Sequence, residues 1–261
     1  MYWTYAGTVI AIPICYVYSL YSFDRHNYHT DHPLTIKKRL LGVTVSTTAI
    51  CIWTYFLLGQ NNDNPARLMG LFIDENVVWN SLKAVSITSS VYLGTFLMHY
   101  FDGSLSSLFS YDACTISFFA WLRNMVVAPI SEELVFRSCL AVLLRLCTNE
   151  SIALYAGPLF FSMCHYHHIK NDVNHGSTLF DAFSQRSVQA AYTYVFGIYA
   201  TYIFFGTGNV LPSIFAHALC NYLELPRVFD VGSIRPKSVQ PLIYLTHILG
   251  VGLFVYSLSL I

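Results

Sequence analysis

LLGVTVSTTAICIWTYFLL, residues Leu40–Leu58, is nineteen residues long and carries no charge. A helix crossing a bilayer needs about 20 predominantly apolar residues, so this stretch alone poses the question of which solvent surrounds the chain. Similar stretches recur along the sequence at Tyr2–Phe23, Val77–Phe101, Ala113–Ile130, Ser131–Cys147, Ile152–His168, Val188–Gly206, Val210–Leu223 and Pro241–Ile261. Several are short, and Pro129 is expected to separate the fourth segment from the fifth. The pattern predicts an all-α protein, a polytopic transmembrane helical bundle of about eight spanning helices plus short or partial helices. Residues 1–261 are expected to form one membrane domain, with a motif-bearing core at about 120–225.

Composition agrees. Of the 261 residues 55% are hydrophobic and only 11% charged, whereas soluble domains carry ~25% charged residues. Lipid therefore replaces water as solvent for much of the surface. The formal net charge is zero, which removes the electrostatic basis for nucleic-acid binding. Seven cysteines (15, 51, 114, 139, 147, 164 and 220) lie singly in mostly apolar stretches without a CxxC pair, which reads as buried thiols rather than a disulfide framework. Tyr2–Phe23 lacks a basic leading region and a small-residue cleavage site, so it reads as a retained span.

Short loops rich in Lys and Arg mark the cytosolic side. Lys170 and Arg186 in the 169–187 loop, and Arg227, Arg235 and Lys237 in the 224–240 loop, share a side if helices alternate. Lys37, Lys38 and Arg39 also ask for the cytosol, and counting nine spans backward would put them across the membrane; one of the first four segments is then not a full span.

Three groups of polar residues interrupt the apolar segments. In Ser131-Glu132-Glu133-Leu134-Val135-Phe136-Arg137, ionisable residues enter an apolar helix, where each is costly and points to function. Glu133 and Arg137, at i and i+4, can pair along one face. Glu132 lies ~100° around the helix and finds only Val135 and Phe136 at its own i+3 and i+4, so an ion pair accounts for its neighbour but not for it. A carboxylate without a counter-charge suits a general base. In Phe161-Ser-Met-Cys-His165-Tyr-His167-His168 the first histidine follows an unbroken apolar run, while the other two sit where interfacial residues would meet headgroups. His217-Ala-Leu-Cys-Asn221 again places two polar groups on one face, which helix–helix hydrogen bonding alone could explain. Helix alternation brings Glu132, His165, His217 and Asn221 to the same side of the membrane, and scattered structural residues have no reason to agree.

The ordered set Glu132-Glu133…Arg137, Phe161…His165 and His217…Asn221 resembles the CAAX protease and bacteriocin-processing superfamily. The surrounding residues, Ala-Pro-Ile-Ser-Glu-Glu-Leu-Val-Phe-Arg and His-Tyr-His-His-Ile, are similar to the eukaryotic type II CAAX prenyl endopeptidases, the Ras-converting CAAX proteases, over about 120–225. The resemblance implies a multi-pass enzyme of the endoplasmic reticulum membrane with its active site toward the cytosol. Its implied substrates are prenylated CAAX proteins such as small GTPases, met at the lipid bilayer, from which the last three residues are cleaved. It implies that Glu132 and His165 activate water, that His217 and Asn221 stabilise the oxyanion, and that Glu133 and Arg137 bind substrate or support the site.

Other readings remain at this point. Glu132, His165 and His217 form a mixed N/O set that zinc accepts, although His-Glu-x-x-His is absent; no cofactor is otherwise implied. A cysteine protease is disfavoured because Cys164 and His165 are adjacent on a helix and face apart. A non-enzymatic scaffold would keep buried histidines but has no need of an unpaired Glu132. A transporter would be expected to show an internal repeat, and none is visible.

Overall fold

A computed structural model describes residues 2–23, 28, 31–109 and 117–261. The described residues are mainly helical and contain no strand. The longer helices are α1 (Tyr2–Ser22), α2 (Pro33–Gly59), α3 (Val77–Ser90), α4 (Leu93–Phe101), α5 (118–147), α6 (Glu150–Cys164), α7 (Leu179–Thr207), α8 (Leu211–Leu223) and α9 (Gln240–Ser257). Cys114 and the first residues of the 113–130 segment lie outside the described residues.

Local chemistry sets the boundaries. Asn149 accepts the Ile152 amide at 2.9 Å to cap α6, and Thr178 accepts the Asp181 amide at 3.1 Å to cap α7. Gly208, at φ 64°, ends α7 in the left-handed conformation that glycine adopts without penalty. Pro212 then opens α8, where its missing N–H costs nothing.

Three expectations fall differently. Pro129 does not separate two helices, because α5 runs unbroken through it. The reason is a π-helical turn at Arg123–Val127, in which the Ala128 amide bonds the Arg123 carbonyl five residues back. This wider turn makes room for a proline ring that in a regular α-helix clashes with the carbonyl four residues earlier. Conversely, the single segment expected over Val77–Phe101 breaks at Val91 and Tyr92 into α3 and α4. The 169–187 stretch, expected as a loop, is largely helical, with His168–Asn174 forming a short helix and α7 starting at Leu179.

Among the described residues three helices are long and apolar enough to cross a membrane: Tyr2–Ser22, Pro33–Gly59 and Lys237–Leu260. The others are shorter, dilute their apolar residues with Tyr, Thr and Gln as α7 does, or carry several charges as α5 does with Arg123, Glu132, Glu133, Arg137 and Arg145.

The packing places α5 at the centre. From Val135 to Leu144 every residue of α5 is buried, against Tyr5, Val9, Ile12 and Tyr16 of α1, Val43 and Ile50 of α2, and Phe161 of α6. Helix α6 lies along α7, α8 along α3, and α9 along α3 and α4. Outward faces stay apolar: Ile10 and Ile14 on α1, Ile52 and Phe56 on α2, and Ile248 and Val255 on α9 are all exposed. Small residues let backbones meet. A Cβ on Gly42 would collide with the Ser19 carbonyl, and one on Gly250 with the Ser90 carbonyl, the close approach that membrane helices use in place of a hydrophobic driving force.

Candidate active site

The acidic pair on α5 leads into a second π-helical stretch, Leu134–Ala141, a distortion frequent at functional sites. Glu133 is fully buried. One of its carboxylate oxygens accepts from His217 Nδ1 at 2.8 Å, and the other lies 3.1 Å from Arg137 Nε. Arg137 is 1% exposed, and its guanidinium stacks over the Phe161 ring, 4.6 Å from the centroid, with Phe196 5.9 Å away. None of its three guanidinium nitrogens makes a hydrogen bond of good geometry among the described residues, so the ion pair to Glu133 and the aromatic faces are what hold this charge in the interior.

Glu132 points elsewhere, as its position on the helix requires. It is 19% exposed, and its carboxylate lies 3.7 Å from His217 Nε2. The sequence offers it no partner on its own helix; the neighbour comes from α8. His217 thus sits between two carboxylates, one on each ring nitrogen. Because a carboxylate only accepts, Nδ1 carries a proton toward Glu133.

His165 follows the last turn of α6, where the helix tightens to a 3₁₀ turn over His165–His167. Its Nδ1 donates to the Phe161 carbonyl at 3.1 Å, which leaves Nε2 as the acceptor nitrogen. The Phe161 ring is the hub of the site, with centroids 5.2 Å from His165 and 6.2 Å from His217. Asn221, one turn beyond His217, donates its amide to the Asn124 carbonyl at 2.9 Å.

Two cavities meet here. The larger, about 1,100 Å³, is lined by Glu132, His165, His217 and Asn221 together, with an otherwise mostly apolar wall that includes Phe196, Tyr199 and Phe254. The smaller, about 480 Å³, shares Glu132, Phe161 and His165 with it. Glu133 and Arg137 line neither. Among the described residues no three His, Cys, Asp or Glu side chains converge as a metal-ligand set. Phe196, which packs 4.8 Å from His217, and Asn124 were not singled out by the sequence. An Arg-Asn pair inside an apolar segment was the available signal for Asn124.

The description Type II CAAX prenyl endopeptidase Rce1-like matches residues 115–223 of the chain. A CAAX prenyl protease 2 of Caenorhabditis elegans is 31% identical over 256 residues, which cover 97% of this chain and 96% of the relative. CAAX prenyl protease 2 of Homo sapiens is 30% identical over 271 residues (98% and 80%), and that of Arabidopsis thaliana 28% over 286 residues (97% and 88%). No solved structure matches the chain. Apolar helices and these relatives together define a membrane protease. Within that class the chain belongs to the type II CAAX prenyl endopeptidase family, as its three motifs suggested, and it is a CAAX prenyl endopeptidase.

Proposed function

We propose that the chain hydrolyses the peptide bond that follows a prenylated cysteine, releasing the C-terminal tripeptide of a CAAX protein such as a small GTPase. The observation that carries this reading is the gathering of Glu132, His165, His217 and Asn221, from three helices, on one large cavity. Glu132 takes a proton from water, and His165 Nε2 accepts from the same water and orients it. The resulting hydroxide attacks the scissile carbonyl. Asn221 offers its second amide proton to the developing oxyanion, and in the imidazolium form His217 adds an Nε2–H, while Glu133 keeps the ring in place. Donors aimed at an oxyanion typically contribute ~10²–10³ in rate each. The proton held by Glu132 then passes to the leaving amine. Glu133 and Arg137, enclosed and away from both cavities, support the site.

The apolar wall of the larger cavity suits the prenyl chain, since each buried methylene contributes ~0.8 kcal/mol. The enzyme works in the endoplasmic reticulum membrane as a bundle of about eight spans with its site toward the cytosol, the side that its substrates reach and that Lys170, Arg186, Arg227, Arg235 and Lys237 favour. The test is cleavage of a farnesylated CAAX peptide in proteoliposomes by wild type and Glu132→Ala, with and without a chelator. Cleavage that needs Glu132 and survives chelation is expected. Turnover by a folded Glu132→Ala protein removes the base, and loss on chelation with recovery on added zinc replaces this scheme with a zinc-dependent one.

A further inference from the structure

The two cavities that share Glu132, Phe161 and His165 differ in charge. At the larger one, Arg227 stands beside Glu224 and Asp230, and the rest of the wall is mainly apolar. At the smaller one, three guanidiniums gather from three helices: Arg39 of α2, Arg123 of α5 and Arg186 of α7. Against them, apart from the shared Glu132, the lining offers one carboxylate among the described residues, Asp172.

The three cations are not equivalent. Arg186 is bound by Asp172 through two contacts of 2.6 and 2.7 Å and by Gln189 at 2.6 Å, so it frames the wall. Arg123 holds Asn124 through Nε at 2.8 Å and Asp31 through one terminal nitrogen at 2.9 Å. Asp31 is 59% exposed, and exposed pairs are weak, so a carboxylate held inside the cavity can compete with it. Arg39 lies over the Tyr21 ring at 5.2 Å.

A substrate cut at the shared wall has a lipid on one side of the scissile bond and a free α-carboxylate three residues away on the other. The apolar cavity matches the first. We propose that the smaller cavity receives the departing tripeptide and that Arg39 and Arg123 bind its α-carboxylate, so that these two arginines restrict cleavage to the chain end. Its volume of about 480 Å³ falls within the ~300–1,000 Å³ usual for small-ligand pockets. The assignment rests on the proteolytic reading above and adds to it a residue-level basis for chain-end specificity.

The experiment compares two farnesylated peptides of one sequence, one ending in a free acid and one in a C-terminal amide, by kcat/KM in proteoliposomes. The enzymes are wild type, Arg39→Gln, Arg123→Gln and the double variant. Hydrogen bonds to a charged group are worth ~1.5–3 kcal/mol, or about ten- to a hundred-fold, so wild type should favour the acid by about that factor. The ratio should fall in each single variant and approach one in the double variant. A wild type that cleaves acid and amide equally overturns the assignment without any variant, so misfolding of a variant cannot shield it. An undiminished acid preference in the double variant overturns it too. Failure of wild type to cleave either peptide instead defeats the proteolytic reading beneath it.

Discussion

Removing Glu133 should damage stability more than activity alone would suggest. Its carboxylate is fully buried, lies 3.1 Å from Arg137 Nε and holds His217 Nδ1 at 2.8 Å. Glu133→Ala therefore strands a guanidinium that is 1% exposed and, among the described residues, has no hydrogen bond of good geometry to fall back on. Breaking a buried pair from one side costs about 3–5 kcal/mol, because the surviving charge stays buried and uncompensated. At ~2–4 °C per kcal/mol for a chain of this size, the melting temperature should drop by about 6–20 °C. Arg137→Met in the same background removes the stranded charge and keeps an unbranched apolar side chain against Phe161, so the double variant should recover most of the loss. Thermal unfolding of the four proteins (wild type, both single variants and the double variant) in one detergent measures the coupling. A Glu133→Ala protein as stable as wild type, or a double variant no more stable than Glu133→Ala, refutes the reasoning.

His217→Ala and Asn221→Ala should each lower kcat by ~10²–10³ with little change in KM, because contacts to the oxyanion strengthen only in the transition state; a pure KM effect places the residue in ground-state binding. Glu224 closes α8 at φ 58° and ψ −147° with its carbonyl held by the Tyr92 hydroxyl at 2.8 Å, a conformation that costs a residue with a side chain ~1–3 kcal/mol. Glu224→Gly should raise thermal stability by about 1 kcal/mol after the extra chain entropy of glycine is subtracted, whereas Glu224→Ala should bring no such gain; a melting temperature lowered by the glycine contradicts the strain.

What was legible in the sequence is what a single helix dictates. The i, i+4 spacing of Glu133 and Arg137 allowed their pairing, and the same spacing placed His217 and Asn221 on one face, because about 3.6 residues per turn makes such positions neighbours. The divergence of Glu132 from Glu133 follows from the same geometry. What could not be read is what crosses between helices. Nothing in the order of residues says that His217 inserts between the two carboxylates, that Asn221 ties to the Asn124 carbonyl, or that Arg39 and Arg123 face a shared cavity. The helix through Pro129 was missed because the usual penalty for an internal proline assumes a regular α-helix, and the π turn before it removes the clash. The break at Val91 and Tyr92 carries neither proline nor glycine at the turn, so no local breaker announces it.

Attack by water, rather than by a carboxylate such as Glu132, on the bond after the prenylated cysteine leaves an isotopic signature. A single turnover of a farnesylated CAAX peptide by excess enzyme in ¹⁸O-enriched water, followed by mass spectrometry of both products, reports what attacked and where. Direct attack by water gives one intact tripeptide and a new farnesyl-cysteine carboxyl carrying one heavy oxygen from the first turnover. An unlabelled carboxyl in that turnover would mean that Glu132 or another carboxylate is the nucleophile, and release of single residues in place of the tripeptide would mean that the cut does not fall at the shared wall of the two cavities.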